Sequence, residues 1–495
     1  MAYTLGIDIG TYETKGVLVD FEGRVVAQAA RGHQMLVPQP GWAEHRPEED
    51  WWGDFVYVCQ TLLRDSGVDS RDIKAVACSA IGPCMLPVDA QGAPLMNGVL
   101  YGVDGRAEAE VRELTDRIGE DVLIDRCGNA LTSQSVGPKI LWLKRHRPEL
   151  YAQTAHVLTS TSFLVQRLTS EVVIDHYTAA NFAPLYDVER LDWIDDLADD
   201  ILPLQKLPRL MWSGEIAGEI TQAAAAATGL APGTPVTAGT IDAAAEAFSV
   251  GVDQPGDMMM MYGSTIFIIL RAAERVADPR IWYAPWLFKG EHASMAGLAT
   301  SGTLTHWFRD QIARDLDPVK AFPTLAKEAA ASPPGANGLL MLPYFSGERT
   351  PIHDVHAKGA LFGLNLTHTR GDMYRALIEG IAYGTRHVTE TFAEIGQSPQ
   401  RLLAVGGGTQ NRLWLQATSD ITGIDQVVCE KATGASYGDA FLAALAIGAV
   451  DRSDILTWNP ATETVSAQSH DVYRESYTLF RRLYEQTKDI AAEIS

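Results

Sequence analysis

Residues 5–20, LGIDIGTYETKGVLVD, read as a strand, a tight Gly-Thr turn and a second strand, and this hairpin restricts the fold more than any other stretch. Leu5, Ile7 and Ile9 alternate with Gly6 and Asp8, and Val17, Leu18 and Val19 make an apolar run suited to a buried strand. Residues 258–270, MMMMYGSTIFIIL, write the pattern a second time with a Gly-Ser-Thr turn. A chain of 495 residues exceeds what one ordinary core holds. An internal duplication, one domain per hairpin, is the economical account, with domains at 1–249 and 250–495.

The turn has a chemistry of its own. Asp8 stands near the end of an apolar strand, and Gly10, Thr11 and Thr14 gather amides and hydroxyls beside it. Such groups suit phosphate oxygens, and a neighbouring carboxylate suits their Mg2+ through water. A hairpin that merely uses Gly and Thr in its turn is the plainer alternative. PVTAGTID at 235–242 again ends a strand in Gly-Thr and a carboxylate, with helix-forming residues 243–248 behind it. Glycines 406–408 follow the apolar stretch 401–405 and precede a helix that starts near Asn411. They could leave a flat wall for a purine, bind an anion at the helix start, or simply permit tight packing. No Gly-x-x-x-x-Gly-Lys-Ser/Thr loop occurs, nor a Gly-x-Gly-x-x-Gly after the first strand, so nucleotide binding here needs another design.

Alternation of strand and helix patterns indicates a mixed α/β sheet. Residues 24–28 could add a third strand, Pro47 opens a helix with Trp51 and Phe55, and residues 135–168 read as helical and amphipathic. The polar stretch Tyr101-Gly102-Val103-Asp104-Gly105-Arg106 follows a strand, which makes Asp104 and Arg106 candidates for gripping a polar substrate. An internal ion pair before the next helix explains the same two residues equally well. Five scattered cysteines lack metal-ligand spacing, and the loop histidines His353 and His356 have no further ligands nearby. Free thiols, and no leader or long apolar stretch at the start, lead to the expectation of a soluble cytoplasmic protein. A net charge of −22 and a pI near 4.9 argue against nucleic acid or an anionic membrane as partner.

Seven pieces together resemble the FGGY family of carbohydrate kinases, in the family's order and along nearly the whole chain. They are GIDIGTYETKGVLVD at 6–20, PGWAEHRPEEDWW at 40–52, GPKILWLK at 137–144, AGTIDAAAEAFSVG at 238–251, YGSTIFI at 262–268, the stretch 338–364 and AVGGGTQNRLWLQATSDITG at 404–423. The resemblance implies an α/β fold of two ribonuclease-H-like domains, of the actin and hexokinase superfold, with ATP and Mg2+ in the interdomain cleft. It implies that Asp242 is the catalytic base, taking a proton from the sugar hydroxyl. A helix N-cap is the plain alternative for that residue. Asp8, Gly10, Thr11 and Thr14 match the first phosphate hairpin, and Gly263, Ser264 and Thr265 the second. Gly302 matches another nucleotide-side loop, and Gly406, Gly407 and Asn411 match the adenosine site. Asp8 and Asp242 would face Mg2+ through water. Lys15 counts with the nucleotide side by position, yet it and Arg349 read as structural.

The acceptor side departs from the family's usual patterns. Xylulokinases carry a Met-His pair after the strand equivalent to 73–79, and glycerol kinases carry Arg-Glu. Here that place reads Ile81-Gly82-Pro83. The family's Trp-x-Asp-x-Arg loop has become Tyr101 to Arg106 with one residue more, and Ala243 stands where xylulokinases often have Asn. Overall spacing is closest to xylulokinases, so D-xylulose is the expected acceptor. Gly82, Pro83, Tyr101, Asp104, Arg106 and Asp242 are the expected residues on the sugar side. Ribulose, a pentitol, a tetrulose or a deoxy-sugar are alternatives, and glycerol is disfavoured. An actin-like ATP-binding structural protein is the non-enzymatic alternative, though it would not need the Asp104, Arg106 and Asp242 set. The expected partners are a small sugar and MgATP, with a homodimer left open.

Overall fold

A computed structural model describes residues 2–431 and 433–494. The chain forms two compact units. One consists of Met1–Asp253, Tyr283–Ala293 and Thr433–Pro460, the other of Gln254–Trp282, Ser294–Ala432 and Ala461–Ser495. The main boundary lies close to the expected 249/250 division, but the units interleave along the chain, because two later segments fold back onto the first.

In the first unit the strand Tyr3–Ile9 pairs antiparallel with Glu13–Asp20, which pairs with Val25–Gly32, so the opening hairpin and its third strand form as the alternation predicts. On its other edge Tyr3–Ile9 runs parallel to Ile73–Ala80, with Asp8 opposite Ser79. The short strand Thr240–Ile241 runs parallel to the end of Ile73–Ala80, alongside Ser79 and Ala80. Three parallel strands therefore finish together, and the residues at their carboxyl ends converge, as they do at ligand sites of open α/β sheets.

The two faces of this sheet are covered differently. Val58 and Leu62 of the helix Asp54–Ser66 press against Gly16. Gly6 faces the opposite side, where a Cβ would lie 1.9 Å from the Ser436 carbonyl oxygen and 2.5 Å from the Ala440 nitrogen. The helix Ala435–Ala446 thus rests its backbone on the first strand. Its Gly438 makes an equally close approach to the helix Asp242–Ser249, where a Cβ would fall 2.0 Å from the Ala245 oxygen. The Tyr437 hydroxyl donates across the carbonyls of Gly23 and Trp458, and the Asn459 amide donates to Ser249 O at 2.9 Å. These contacts bind residues 433–460 to the first unit.

Residues 135–168, expected as one helical stretch, are broken. They form the helices Val136–His146, Pro148–Gln153 and Ser160–Thr169, with the strand His156–Leu158 between the last two. Pro148 has no amide to continue the first helix and starts the second, and Thr159 caps the last by accepting the Ser162 amide.

In the second unit Asp257–Tyr262 pairs antiparallel with Ile266–Ala272 and parallel with Arg401–Val405, repeating the hairpin arrangement of the first. Gln426–Cys429 and Ala461–Val465 extend the sheet. The helix Arg370–Glu394, started by a Thr369–Asp372 capping box, and the helix Arg412–Thr422 pack over it through Leu377, Ile381 and Trp414. Among the described residues no helix is long and apolar enough to cross a membrane.

Because backbone cannot move aside as a side chain can, Gly6→Ala should destabilise the first unit by more than about 3 kcal/mol, beyond ordinary overpacking. Urea unfolding followed by tryptophan fluorescence measures this, and a loss under about 1 kcal/mol would contradict the packing described.

Candidate active site

At the carboxyl ends of the three strands, side chains from four places in the chain meet. The Ser79 hydroxyl lies 3.2 Å from Asp8 Oδ1 and 2.7 Å from Asp439 Oδ2, and the Ser79 amide donates to the same Asp439 oxygen at 3.1 Å. Asp439 is fully buried, and its Oδ1 has no partner among the described residues. Asp242 is the first residue of its helix, where its Oδ1 accepts the Ala243 amide at 2.8 Å. Glu246 stands one turn further on the same face.

Crowding these carboxyl groups away from water disfavours their charged forms. Burial, then the charges of Glu246 and Asp439, push Asp242 up to about 7 against the pull of the Ala243 amide. Burial, then Asp242 and Glu246, hold Asp8 well above the carboxylate range, while burial and Asp8 do the same to Asp439. Lys15 opposes the shift at Asp8 and Glu246 from a half-exposed position beside Glu13, at 3.4 Å. So much gathered negative charge suits a hard divalent cation. Among the described residues no three His, Cys, Asp or Glu side chains converge into a metal cage. The unpartnered Asp439 oxygen and the carboxyl groups beside it fit Mg2+ carried on phosphates and reached through water, the manner in which this ion is usually held.

The approach to Asp242 is braced. Gly239 has φ +71°, and a Cβ there would lie 2.2 Å from the Cys78 oxygen. The Thr240 hydroxyl donates to Asp175 Oδ2 at 2.8 Å, the Ser213 hydroxyl donates to the same oxygen at 2.9 Å, and Thr161 donates to the Thr240 carbonyl at 2.9 Å. Burial pushes the Asp175 carboxyl up to about 6.

Other expected residues fall in several environments. Gly10 closes its turn by donating to the Glu13 carbonyl at 3.0 Å, and Thr11 is half-buried beside it. The Thr14 side chain points inward instead of toward a phosphate, donating to Asp54 at 3.2 Å from a fully buried position. Gly82–Pro83 is a cis peptide pressed on Ile241, and Tyr101 is half-buried, with Thr11 and Asp242 acting on its hydroxyl. Asp104 and Arg106 do not reach outward. Arg106 binds Asp104 at 2.8 Å and Glu44 at 2.8 Å, its guanidinium lies 4.0 Å over Trp42, and Asp104 accepts the Ala43 amide at 2.7 Å. The two form an internal ion pair, which fastens residues 42–45.

In the second unit a cavity of about 520 Å3 gathers Gly263, Ser264, Gly302, Gly407 and Asn411, three separate stretches of sequence. A Cβ at Gly302 would lie 2.3 Å from the Gly263 oxygen, and one at Gly406, with φ +90°, 2.8 Å from the Tyr262 oxygen. Asn411 caps its helix by accepting the Trp414 amide at 3.3 Å. Thr265 sits half-buried in the turn outside the cavity lining.

Family models decide the class. The N-terminal-domain model of the FGGY family of carbohydrate kinases matches residues 3–249, and the C-terminal-domain model matches residues 258–447. The chain belongs to the FGGY family of carbohydrate kinases. The xylulose kinase of Bacillus subtilis is 30% identical over 99% of this chain and 98% of its own length. The ribulokinase of Geobacillus thermodenitrificans is 29% identical over 90% of this chain and 86% of its own. A solved xylulose kinase from Rhodospirillum rubrum matches the fold with a TM-score of 0.92 at 31% identity, covering 99% of both chains. This FGGY kinase is a sugar phosphotransferase with the two-domain α/β fold of its family.

Several residues of the FGGY kinase's site escape a reading of its sequence. Glu246 could have been found, since it lies four residues after Asp242 in a helical stretch. Asp439 could not, because nothing local links residue 439 to residue 8. Phe322, Pro323 and His306, which line the cavity of the second unit, carry no motif at all.

Asp175 supplies a test of the bracing. Its folded pKa lies above the ordinary 3.8, so its contribution to stability is full below about 4 and is lost as pH rises through about 6. Unfolding free energies of wild type and Asp175→Asn across pH 4 to 7 should diverge by up to about 3 kcal/mol, the wild type losing more.

Proposed function

We propose that this FGGY kinase transfers the γ-phosphoryl group of ATP to a ketopentose, D-xylulose before others, giving D-xylulose 5-phosphate. The similarity to the xylulose kinases of Bacillus subtilis and Rhodospirillum rubrum supports that acceptor. In this proposal residues 1–249 hold the sugar, the base and the first phosphate hairpin, and residues 250–495 the second hairpin and the adenosine site. Gly10 and Thr11 meet the phosphates from one turn and Gly263, Ser264 and Thr265 from the other, with Gly302, Gly406, Gly407 and Asn411 around the nucleoside. The cytoplasm, a reducing compartment, suits the five free cysteines.

Asp242 carries the proposal. A carboxyl pushed up to about 7 is matched to proton abstraction near neutrality. Asp242 takes the proton of the acceptor hydroxyl as its oxygen bonds to the γ-phosphorus, and the bond to the leaving ADP oxygen breaks, its electron pair staying with ADP. The transition state of such transfers is loose, so alignment and charge neutralisation outweigh the base. Mg2+ on the phosphates, facing Asp8 and Asp242 through water, would supply that neutralisation. Ribulose is the second acceptor to consider, because the Geobacillus thermodenitrificans ribulokinase is nearly as similar. Ile81, Gly82 and Pro83 offer no polar side chain to discriminate among ketoses, pentitols and tetruloses.

ADP release measured with D-xylulose, ribulose, pentitols, tetruloses and no acceptor tests the reading. D-xylulose should give the highest kcat/KM, whereas turnover independent of any sugar would favour an actin-like ATPase instead. Asp242→Ala should lower kcat by about 10²–10⁴-fold while ATP still binds. Since the base acts deprotonated, wild-type kcat/KM for the sugar should rise with pH toward a plateau, half-complete near 7.

A further inference from the structure

The back of the first turn is held by two imidazole rings. His33 Nε2 lies 3.0 Å from the Gly10 carbonyl oxygen, and its Nδ1 lies 2.9 Å from Asp54 Oδ2. The ring thus bridges the Gly10 carbonyl and the Asp54 carboxylate. Asp54 also receives Arg31 at 3.1 Å and the Thr14 hydroxyl, which fixes the carboxylate that fixes the ring. His45 Nδ1 accepts the Trp51 indole N–H at 3.1 Å, so its hydrogen sits on Nε2, 3.1 Å from the Thr11 carbonyl oxygen. The two rings meet edge to face at 4.9 Å, and both side chains are buried.

Holding these carbonyls determines where the next amides point. The Gly10–Thr11 and Thr11–Tyr12 bonds are trans, and in a trans peptide the C=O and the following N–H point in opposite directions. With both carbonyls drawn to the back, the amides of Thr11 and Tyr12 face the front. Neither donates to a protein acceptor among the described residues, whereas Gly10 N is already used on Glu13 O. Successive free amides of this kind make a nest for an anion.

The second hairpin, considered by itself, has the same arrangement built from other groups. The Gly263 carbonyl accepts the Ser301 hydroxyl and the Gly302 amide, both at 3.0 Å. The Ser264 carbonyl accepts the amides of Ser301 and Thr303 at 3.1 Å and the Thr303 hydroxyl at 2.9 Å. The amides of Ser264 and Thr265 likewise have no protein acceptor among the described residues.

We infer that His33 and His45 are positioning residues of the first phosphate turn, clamping the Gly10 and Thr11 carbonyls so that the Thr11 and Tyr12 amides stand ready for a nucleotide phosphate. The inference rests on the ATP-binding role proposed for this turn. It assigns Tyr12 a backbone role and gives the HRP stretch after Glu44 a task beyond packing.

Titration of MgADP into the full-length protein, together with KM values for ATP and sugar, tests it. His33→Ala and His45→Ala should each raise the MgADP Kd and the ATP KM about tenfold, the worth of one net hydrogen bond, and leave the sugar KM within about twofold. His45→Gln, whose amide can still donate to the Thr11 oxygen, should recover most of the loss. Trp51→Phe keeps the packing but frees the His45 tautomer, and should raise the ATP KM about threefold, so it decides the matter if an alanine variant does not fold. Folded variants with unchanged MgADP Kd and ATP KM, or sugar and ATP KM values rising together, would overturn the clamp. A folded wild type that binds no MgADP would overturn the underlying nucleotide assignment, and the clamp with it.

Discussion

The absence of a side chain at Gly6 is the constraint on which the first unit depends. A helix from residues 435–446 lies with its backbone where a Cβ would stand, and Gly438 of that helix lies equally close to the helix that begins with Asp242. Helix, strand and helix are thereby fixed at backbone contact, closer than side-chain packing allows. That closeness delivers the Asp439 carboxylate to Ser79, and through Ser79 to Asp8, at hydrogen-bond distance. One packing contact thus closes the sheet and completes the acidic site.

The site is not built for stability. Burial and then neighbouring carboxylates, Glu246 among them, raise the proton affinity of Asp8, Asp242 and Asp439, and one Asp439 oxygen is buried without a partner among the described residues. Unpaired buried carboxyl groups destabilise a fold unless something compensates, and such groups concentrate where chemistry is done. Nearby polar groups with a purely structural role look different. Asp104 pairs with Arg106 beneath Trp42, leaving only the Arg106 Nη1 of that pair without a partner among the described residues, and Asp175 receives two hydroxyls at once. Those groups hold loops, whereas the acidic cluster around Ser79 gathers at the carboxyl ends of three strands.

The two hairpins show how one geometric requirement is met by different chemistry. Each turn ties its carbonyls to the back and leaves successive amides free in front. A loop of small residues, 301–303, does this in the second unit, while two buried imidazoles do it in the first. What recurs between the halves is the backbone arrangement, not the residues that enforce it.

Much of this was legible in the linear chain, for a definite reason. Alternating apolar residues, turn glycines and helix caps act over a few residues, so both hairpins, the helix start at Asp242 and the glycine turn after residue 405 could be read directly. The FGGY resemblance rests on those same local motifs. Asp439 beside Asp8, the return of residues 433–460 to the first unit, and the inward turn of Thr14 onto Asp54 could not be read, because each depends on contacts between segments far apart in sequence. Asp104 and Arg106 show the limit most clearly. Their spacing allowed a substrate grip or an internal ion pair, and only the tertiary structure shows the ion pair formed and buried beneath Trp42. The sequence alone determined which chemical groups and turns this kinase possesses. Tertiary structure decided which of them meet and which are left unsatisfied, because desolvation and hydrogen-bond geometry are set by neighbours in space.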